Sequence, residues 1–235
     1  MVRTPHEFKV YHFSRISQIL ELSSAIDLAL IDIPLGLGSS RVIRGVEKLA
    51  RKELSPGRHS SVFNVPVREA IRQENYESAS QTNREITGKK ISRQSWNIVP
   101  KIKDADHFLQ ENPGFKKRLL EAHPELCFKY LNHAKIPVFR KRDPGQKGLD
   151  ERIRILRNYY QDVERFYGRQ LKDLHPSLAQ AHDLVDALCL CITACLGYQY
   201  RLSRLQETST QDDFGIEMNM YYFDPKARST PGFSG

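Results

Sequence analysis

The sequence lacks the features of a membrane or secreted protein. It contains no run of about 18 apolar residues, and its first residues do not follow the basic-then-apolar pattern of a secretory signal. Of its four cysteines, three lie within seven residues on one predicted helix, where the geometry for disulfide pairing is poor. We therefore expect a cytoplasmic protein that spans no membrane and whose thiols are buried and reduced rather than part of a metal or redox site.

Two further absences narrow the possible functions. No Gly-Lys-Ser/Thr follows Gly36 and Gly38, so these glycines do not form a phosphate-binding loop. Trp96 is the only tryptophan, and it serves either as a core or interface residue or as a ring that stacks on a base. No internal repeat is visible, so we expect a single domain and not a repeat array.

The positive charge is concentrated in the middle of the chain. Residues 41–120 hold 17 of the 36 Lys and Arg but only 9 of the 28 Asp and Glu. Such an excess attracts polyanions whatever their sequence. A solvated basic helical surface accounts for the same composition equally well.

Two predicted strands end in carboxylates. Residues 28–33 are apolar on consecutive positions up to Asp32, which is the pattern of a strand covered on both faces within an α/β sheet. A second short strand is predicted to end near Glu121, because Pro124 stops any helix there. Asp32 has the alternative role of hydrogen-bonding the turn that follows it.

A third element contributes two more carboxylates. Asp183 and Asp186 open an apolar helix predicted over about 180–200, and their i, i+3 spacing places them on one helical face. Asp183 lies near the helix start, where capping amide groups is an equally good explanation. Asp186 interrupts an apolar face, which favours a functional role. Acids from three separate elements suggest a site for a divalent metal ion.

The remaining elements follow from periodicity and flanking residues. After residue 206 the chain becomes polar and rich in Ser, Thr and Gly, so we expect a poorly ordered tail apart from a short strand at 218–223. The other predicted elements are a strand at 8–13, a short helix to about 22, helices from about 39, over 66–86, 101–111 and 149–167, and a turn of helix at 128–132.

Seven short motifs lie in order over roughly residues 8–200, at 30–37, 50–51, 60–63, 88–92, 98–102, 121–125 and 183–188. Together they resemble the family termed DUF429, whose members are predicted nucleases of the RNase H-like fold. Where members usually carry Cys-Asp ahead of Ala50-Arg51, this chain has Val46-Glu47.

The resemblance implies an α/β fold: an RNase H-like mixed sheet with helices on both faces. It implies one domain over 1–205 with a helical insertion at about 38–117, followed by the tail at 206–235. Family members begin with a β-hairpin whose first strand carries an aspartate, and nothing in residues 1–27 resembles it. We therefore expect the first two strands to be missing, as in a truncated product or a degenerate relative, and activity to be low or absent.

The resemblance also implies a site at which Mg²⁺ or Mn²⁺ supports phosphodiester hydrolysis of nucleic acid. The expected metal ligands are Asp32, Asp183 and Asp186. The expected catalytic residues are Asp32, Glu121 and Asp186, with His123 or Glu125 assisting proton transfer. The residues expected to contact phosphates are Arg41, Arg44, Lys48, Arg51, Lys89, Lys90, Lys101, Arg140, Lys141 and Arg142.

Two other functions stay open. One is a non-catalytic relative that binds nucleic acid through the basic insertion and has lost the metal site. The other is a relative of the sugar-kinase and actin group that binds a nucleotide or a small metabolite.

Overall fold

Helices surround a small parallel sheet. The computed structural model describes residues 8–141, 143, 146–173, 181–208 and 210–226. The strands are β1 (Ala29–Ile31), β2 (Leu119–Glu121), β3 (Ser203–Arg204) and β4 (Tyr221–Tyr222). The α-helices are α1 (Val46–Glu53), α2 (Arg68–Ile71), α3 (Tyr76–Thr87), α4 (Arg93–Asn97), α5 (Val99–Glu111), α6 (Pro124–Leu131), α7 (Lys147–Arg157), α8 (Val163–Asp173) and α9 (Ala181–Tyr200). Short 3-10 helices cover Ile16–Ala25, His59–Ser61 and Pro113–Phe115.

The parallel pair β1 and β2 brings two predicted carboxylates to one edge. Ile31 lies opposite Glu121, and the N–H of Ala122 donates to the Ile31 carbonyl at 3.0 Å. Because the strands run in the same direction, Asp32 leaves the sheet beside the end of β2. The α/β class is therefore confirmed, whereas the larger RNase H-like sheet stays a prediction.

Residues 8–13, predicted as a strand, form none. The Phe8 ring instead packs on Tyr160 and Phe166, with centroid distances of 4.5 and 5.6 Å, and Val10 packs against the same cluster. The aromatic and β-branched residues that produced the strand prediction are thus used in packing on helices, a context that overrides β-propensity.

Helix α9 forms the centre of the main hydrophobic core. It packs on β1 and on helices α6, α7 and α8, and Leu188, Cys189 and Ile192 are buried along it. With 20 residues and an 18-residue window of mean hydropathy 1.3, α9 has the length and composition of a membrane span, but 56% of that window is buried inside the protein. Among the described residues it is the only such helix, and its burial is that of a core helix.

Several predicted helices begin later or are divided. The helix expected from residue 39 begins at Val46, because the Ser39 hydroxyl accepts the N–H groups of Arg41 and Val42 at 3.1 and 3.2 Å and stabilises a turn instead. The helix expected over 66–86 is divided into α2 and α3, since Asn75 caps the second helix.

Tyr159 divides the helix expected over 149–167, because it turns inward and its hydroxyl donates to the Leu131 carbonyl at 2.7 Å. Pro124, expected to stop a helix, occupies the first turn of α6, where its missing N–H is tolerated. As a result the single turn of helix expected at 128–132 is a full helix, α6.

The expected disorder after residue 206 does not hold for residues 210–226. Asp212 is buried, and its carboxylate accepts the N–H groups of Leu37 at 3.0 Å and of Phe214 and Ile216 at 2.9 Å. The segment also contributes Met218 to the buried side chains, and β4 lies within the short strand predicted at 218–223. Residues 227–235 lie outside the described part of the chain.

Candidate active site

Three predicted acids line one cavity between β1 and α9. Asp32 follows β1 directly, and Asp183 and Asp186 lie in the first two turns of α9. The cavity has a volume of about 710 Å³, and the rest of its wall is largely apolar. The packing of α9 on β1 therefore brings together carboxylates that are about 150 residues apart in the sequence.

Asp32 also lines two neighbouring cavities. One, of about 380 Å³, includes His123, Glu125, Arg140 and Lys141 in its wall. The other, of about 260 Å³, is lined by Phe63, Lys101, Glu121 and His123. Asp32 thus lies at the junction of three cavities, of which the one of about 380 Å³ has the most polar wall.

The ammonium group of Lys141 lies among the acids of α9. Lys141 Nζ donates a hydrogen bond to Asp186 Oδ2 and lies 3.8 Å from Asp183 Oδ1. Burial raises the pKa of Asp186, and the charge of Lys141 opposes this effect. The sequence predicted a phosphate contact for Lys141, but the structure pairs it with these two carboxylates.

The environment of Asp32 disfavours its charged form. The side chain remains accessible to water, but the surrounding protein atoms reduce its hydration, which raises the pKa of Asp32 to about 8. The negative charges of Asp186, Glu121 and Asp183 add to this effect, whereas Lys141 lowers the pKa. A carboxylate in such surroundings is stabilised by any further positive charge that enters the cleft.

Within the described residues, no three His, Cys, Asp or Glu side chains form a cluster arranged to hold a metal ion. Mg²⁺, however, keeps several waters and is usually held by only one or two protein carboxylates together with substrate phosphates. The hard oxygens of Asp32 and Asp186 suit such an ion, and the ammonium of Lys141 already marks a position where positive charge is favoured. The residues present therefore fit a hydrated Mg²⁺ or Mn²⁺ and not an all-protein metal cage.

Glu121, expected to be catalytic, is held by Arg44, which was expected to contact phosphates. Arg44 Nη2 donates to both Glu121 oxygens at 2.7 and 2.8 Å, and the Leu35 N–H donates to the same carboxylate at 2.7 Å. Arg44 makes three further bonds, to Glu47 and to the Leu35 and Gly36 carbonyls, so its donors are all used. Burial raises the pKa of Glu121, whereas the charge and the two hydrogen bonds of Arg44 lower it. Because Glu121 in turn raises the pKa of Arg44 and the two groups are joined by two hydrogen bonds, the pair is ionised. Both residues stabilise the turn that follows Asp32.

His123 has one ring nitrogen without a partner. Its Nε2 lies 3.4 Å from the Ser61 carbonyl, which can only accept, so Nε2 carries the proton. Nδ1 is buried and makes no hydrogen bond. Burial lowers the pKa of His123, which keeps the ring neutral at pH 7 and leaves a lone pair on Nδ1.

Glu125, the other residue expected to assist proton transfer, is held among arginines. Arg152 Nη2 donates to Glu125 Oε1, and Arg58 Nε lies 3.8 Å from Oε2. Sequence reasoning missed both arginines. Each occurs in a region rich in basic residues, and no periodic signal separates a buried arginine there from a solvated one.

The basic residues expected at phosphates fall into separate groups. Arg51, Lys89 and Lys90 line a cavity of about 350 Å³, which shares Val62 and Phe63 with the cavity that reaches Asp32. Lys101 and Arg140 line the cavities at Asp32 itself. Arg41 and Lys48 are exposed near the start of α1, and Arg142 lies outside the described residues.

A family profile described as "Protein of unknown function (DUF429)" matches residues 1–202. The chain therefore belongs to the DUF429 family, as the seven short sequence motifs predicted. Comparison with the curated proteins and with the solved structures finds no match.

Proposed function

We propose that the protein is a metal-dependent hydrolase that cleaves phosphodiester bonds of nucleic acid, with Asp32 at its centre. The observation that carries the proposal is the convergence of Asp32, Asp183 and Asp186 on one cavity. Asp32 and Asp186 would hold Mg²⁺ or Mn²⁺, and the exposed Asp183 would interact with the hydration shell of the ion. When bound, the ion would activate water and stabilise the departing oxygen.

The neutral His123 supplies a base beside Asp32. Nδ1 carries the free lone pair, because Nε2–H is directed to the Ser61 carbonyl. Since Nδ1 is buried, the ring has to move toward the cavity before Nδ1 accepts the proton of an attacking water. A base with a lowered pKa is deprotonated at neutral pH and ready to accept that proton. We expect His123→Ala to reduce cleavage by about 100-fold, the lower range of general-base effects.

The adjoining basic cavity supports a polyanionic substrate. Arg51, Lys89 and Lys90 lie together beyond Phe63, whereas Lys101 lies on the Asp32 side of the shared wall. A chain with several phosphates would reach both cavities, whereas a single phosphate ester would fill only one. The half-buried ring of Phe63 between the cavities suits stacking on a base.

We propose a cytoplasmic location as well, since all four cysteines are free.

The test is a cleavage assay with labelled single-stranded and duplex DNA and RNA in the presence of Mg²⁺ or Mn²⁺. We expect slow cleavage, in keeping with the low activity that the sequence predicts. EDTA should abolish it, and so should Asp32→Asn and Asp186→Asn, without loss of folding. Glu164→Gln is the matched control, because Glu164 is exposed and, within the described part of the chain, its ion pair is with the exposed Arg157. Equal cleavage by all variants would mean that neither Asp32 nor Asp186 takes part in the reaction. Salt-dependent binding without cleavage would favour the non-catalytic function instead.

A further inference from the structure

We infer that Lys141 supplies one of the positive charges of the active site, so that the cleft takes one divalent cation and not two. This inference rests on the proposed function, because it concerns the cation that the same cleft would hold. It gives a specific role to a lysine that the sequence predicted as one phosphate contact among ten.

The contacts of Lys141 are those of a bound cation. Its Nζ donates to Asp186 and lies 3.8 Å from Asp183, and the side chain is 26% exposed. The charge of Lys141 also acts on Asp32 and lowers the pKa of that carboxyl. By contrast, Lys101 lines the same cavity and makes no ion pair among the described residues. Lys141 is thus the lysine that neutralises the acids directly.

The backbone that carries Lys141 is held in place. We call residues 137–141 the strap. The carboxylate of Glu151 accepts the N–H groups of Val138 and Phe139, each at 2.8 Å. Arg58 Nη2 donates to the Pro137 and Val138 carbonyls at 2.8 and 3.0 Å. These bonds fix the strap on both sides, so less conformational entropy is lost when the ammonium reaches the acids.

The strap also lies directly against the first turn of α7. A Cβ added at Gly148 would come within 1.8 Å of the Arg140 carbonyl oxygen, so any larger residue there would displace the strap. Arg152 joins the two segments, since its Nη1 donates to the Phe139 carbonyl at 3.2 Å and to the Gly148 carbonyl at 2.9 Å. Lys141 therefore enters the cleft from a packed segment whose position is defined by α7.

The charge balance of the cleft points to a single divalent ion. Asp32, Asp183 and Asp186 carry three negative charges when ionised, and the charges of Asp27 and Lys101, which line the same cavity, offset each other. One ammonium and one divalent cation neutralise these charges fully, whereas a second divalent cation would leave two positive charges in excess. Because Lys141 contacts both acids of α9, a second ion would also have to displace it.

The experiment measures free Mn²⁺ by electron paramagnetic resonance in the presence of the wild type or one of four variants. The number of bound ions follows from the difference between total and free Mn²⁺. We expect one Mn²⁺ per chain in the wild type, two in Lys141→Met and one in Lys141→Arg, which keeps the charge. Lys101→Met is the matched control and should bind one. Asp32→Asn should bind none. Circular dichroism establishes that each variant is folded, and Lys141→Arg separates the loss of charge from a local packing defect.

The outcomes separate this inference from the proposed function. Two ions in the wild type, or one in both the wild type and Lys141→Met, would overturn the role of Lys141 and leave the metal-dependent hydrolase intact. No ion in the wild type but one in Lys141→Met would mean that the lysine fills the cation position entirely, which contradicts both the single divalent ion and metal-dependent hydrolysis. No ion in either protein would overturn both.

Discussion

Replacement of Glu121 by Gln distinguishes a structural carboxylate from a catalytic one. The change keeps the shape of the side chain but removes the negative charge that faces Arg44, whose side chain is only 4% exposed. Loss of one partner from a buried ion pair destabilises proteins by about 3 to 5 kcal/mol. Glu47 remains 2.5 Å from Arg44, and Gln can still accept the Leu35 N–H, so we expect the lower limit of about 3 kcal/mol.

Urea unfolding followed by far-UV circular dichroism measures this loss. With an m-value of about 2 kcal/mol per M, Glu121→Gln should lower the unfolding midpoint by about 1.5 M. Glu164→Gln is the control, since its exposed pair with Arg157 at 3.4 Å contributes less than about 1 kcal/mol. A Glu121→Gln protein that unfolds like the control but no longer cleaves nucleic acid would refute the structural role and restore Glu121 to the catalytic residues.

Three further predictions concern the cleft, the strap and the basic cavity. Asp32→Asn should stabilise the protein increasingly from pH 4 to pH 8 in thermal melts. The pKa of Asp32 is raised to about 8, so the folded wild type binds this proton more tightly than the unfolded chain, and its stability falls as the pH rises over that range. Because water reaches Asp32, we expect Asp32→Asn to gain no more than about 1 kcal/mol over the wild type. An equal gain at every pH would contradict this reasoning. Gly148→Ala should destabilise the fold by about 2 kcal/mol in urea, because its Cβ meets the Arg140 carbonyl. Replacing Lys89 and Lys90 together by Ala should make the plot of log binding constant for duplex DNA against log salt concentration less steep, by about 2 in slope. An unchanged slope would mean that these two lysines do not contact DNA phosphates.

The sequence predicted the elements that carry the acids. The consecutive apolar residues before Asp32 placed β1 correctly, and the strand expected to end near Glu121 ends there. The long apolar pattern of α9 was equally clear, and the predicted helix ends at Tyr200, as the observed one does. These elements are defined by local patterns of hydrophobicity, which is why a single sequence was sufficient to find them.

The features that the sequence did not reveal depend on contacts between distant segments. Lys141 and Asp186 are 45 residues apart, and Arg44 and Glu121 are 77 apart. From the sequence, Lys141 in its basic loop and Arg44 before α1 are both expected to be solvated surface residues. Only the tertiary structure shows that Lys141 enters the cleft and that Arg44 is buried.

The order of residues 210–226 was not predicted for a related reason. The polar composition after residue 206 indicated disorder, yet the Asp212 carboxylate accepts the Leu37 N–H and so joins this segment to the turn that follows β1. A buried carboxylate that accepts several backbone N–H groups has no signature in composition.

The most direct test of the central claim is a crystal structure of the protein soaked in Mn²⁺, with anomalous differences recorded near the manganese edge. The account predicts one anomalous peak within coordination distance of Asp32 and Asp186, with the ammonium of Lys141 still beside Asp183. A crystal without a peak in the cleft, or with two peaks there and Lys141 displaced, would contradict it.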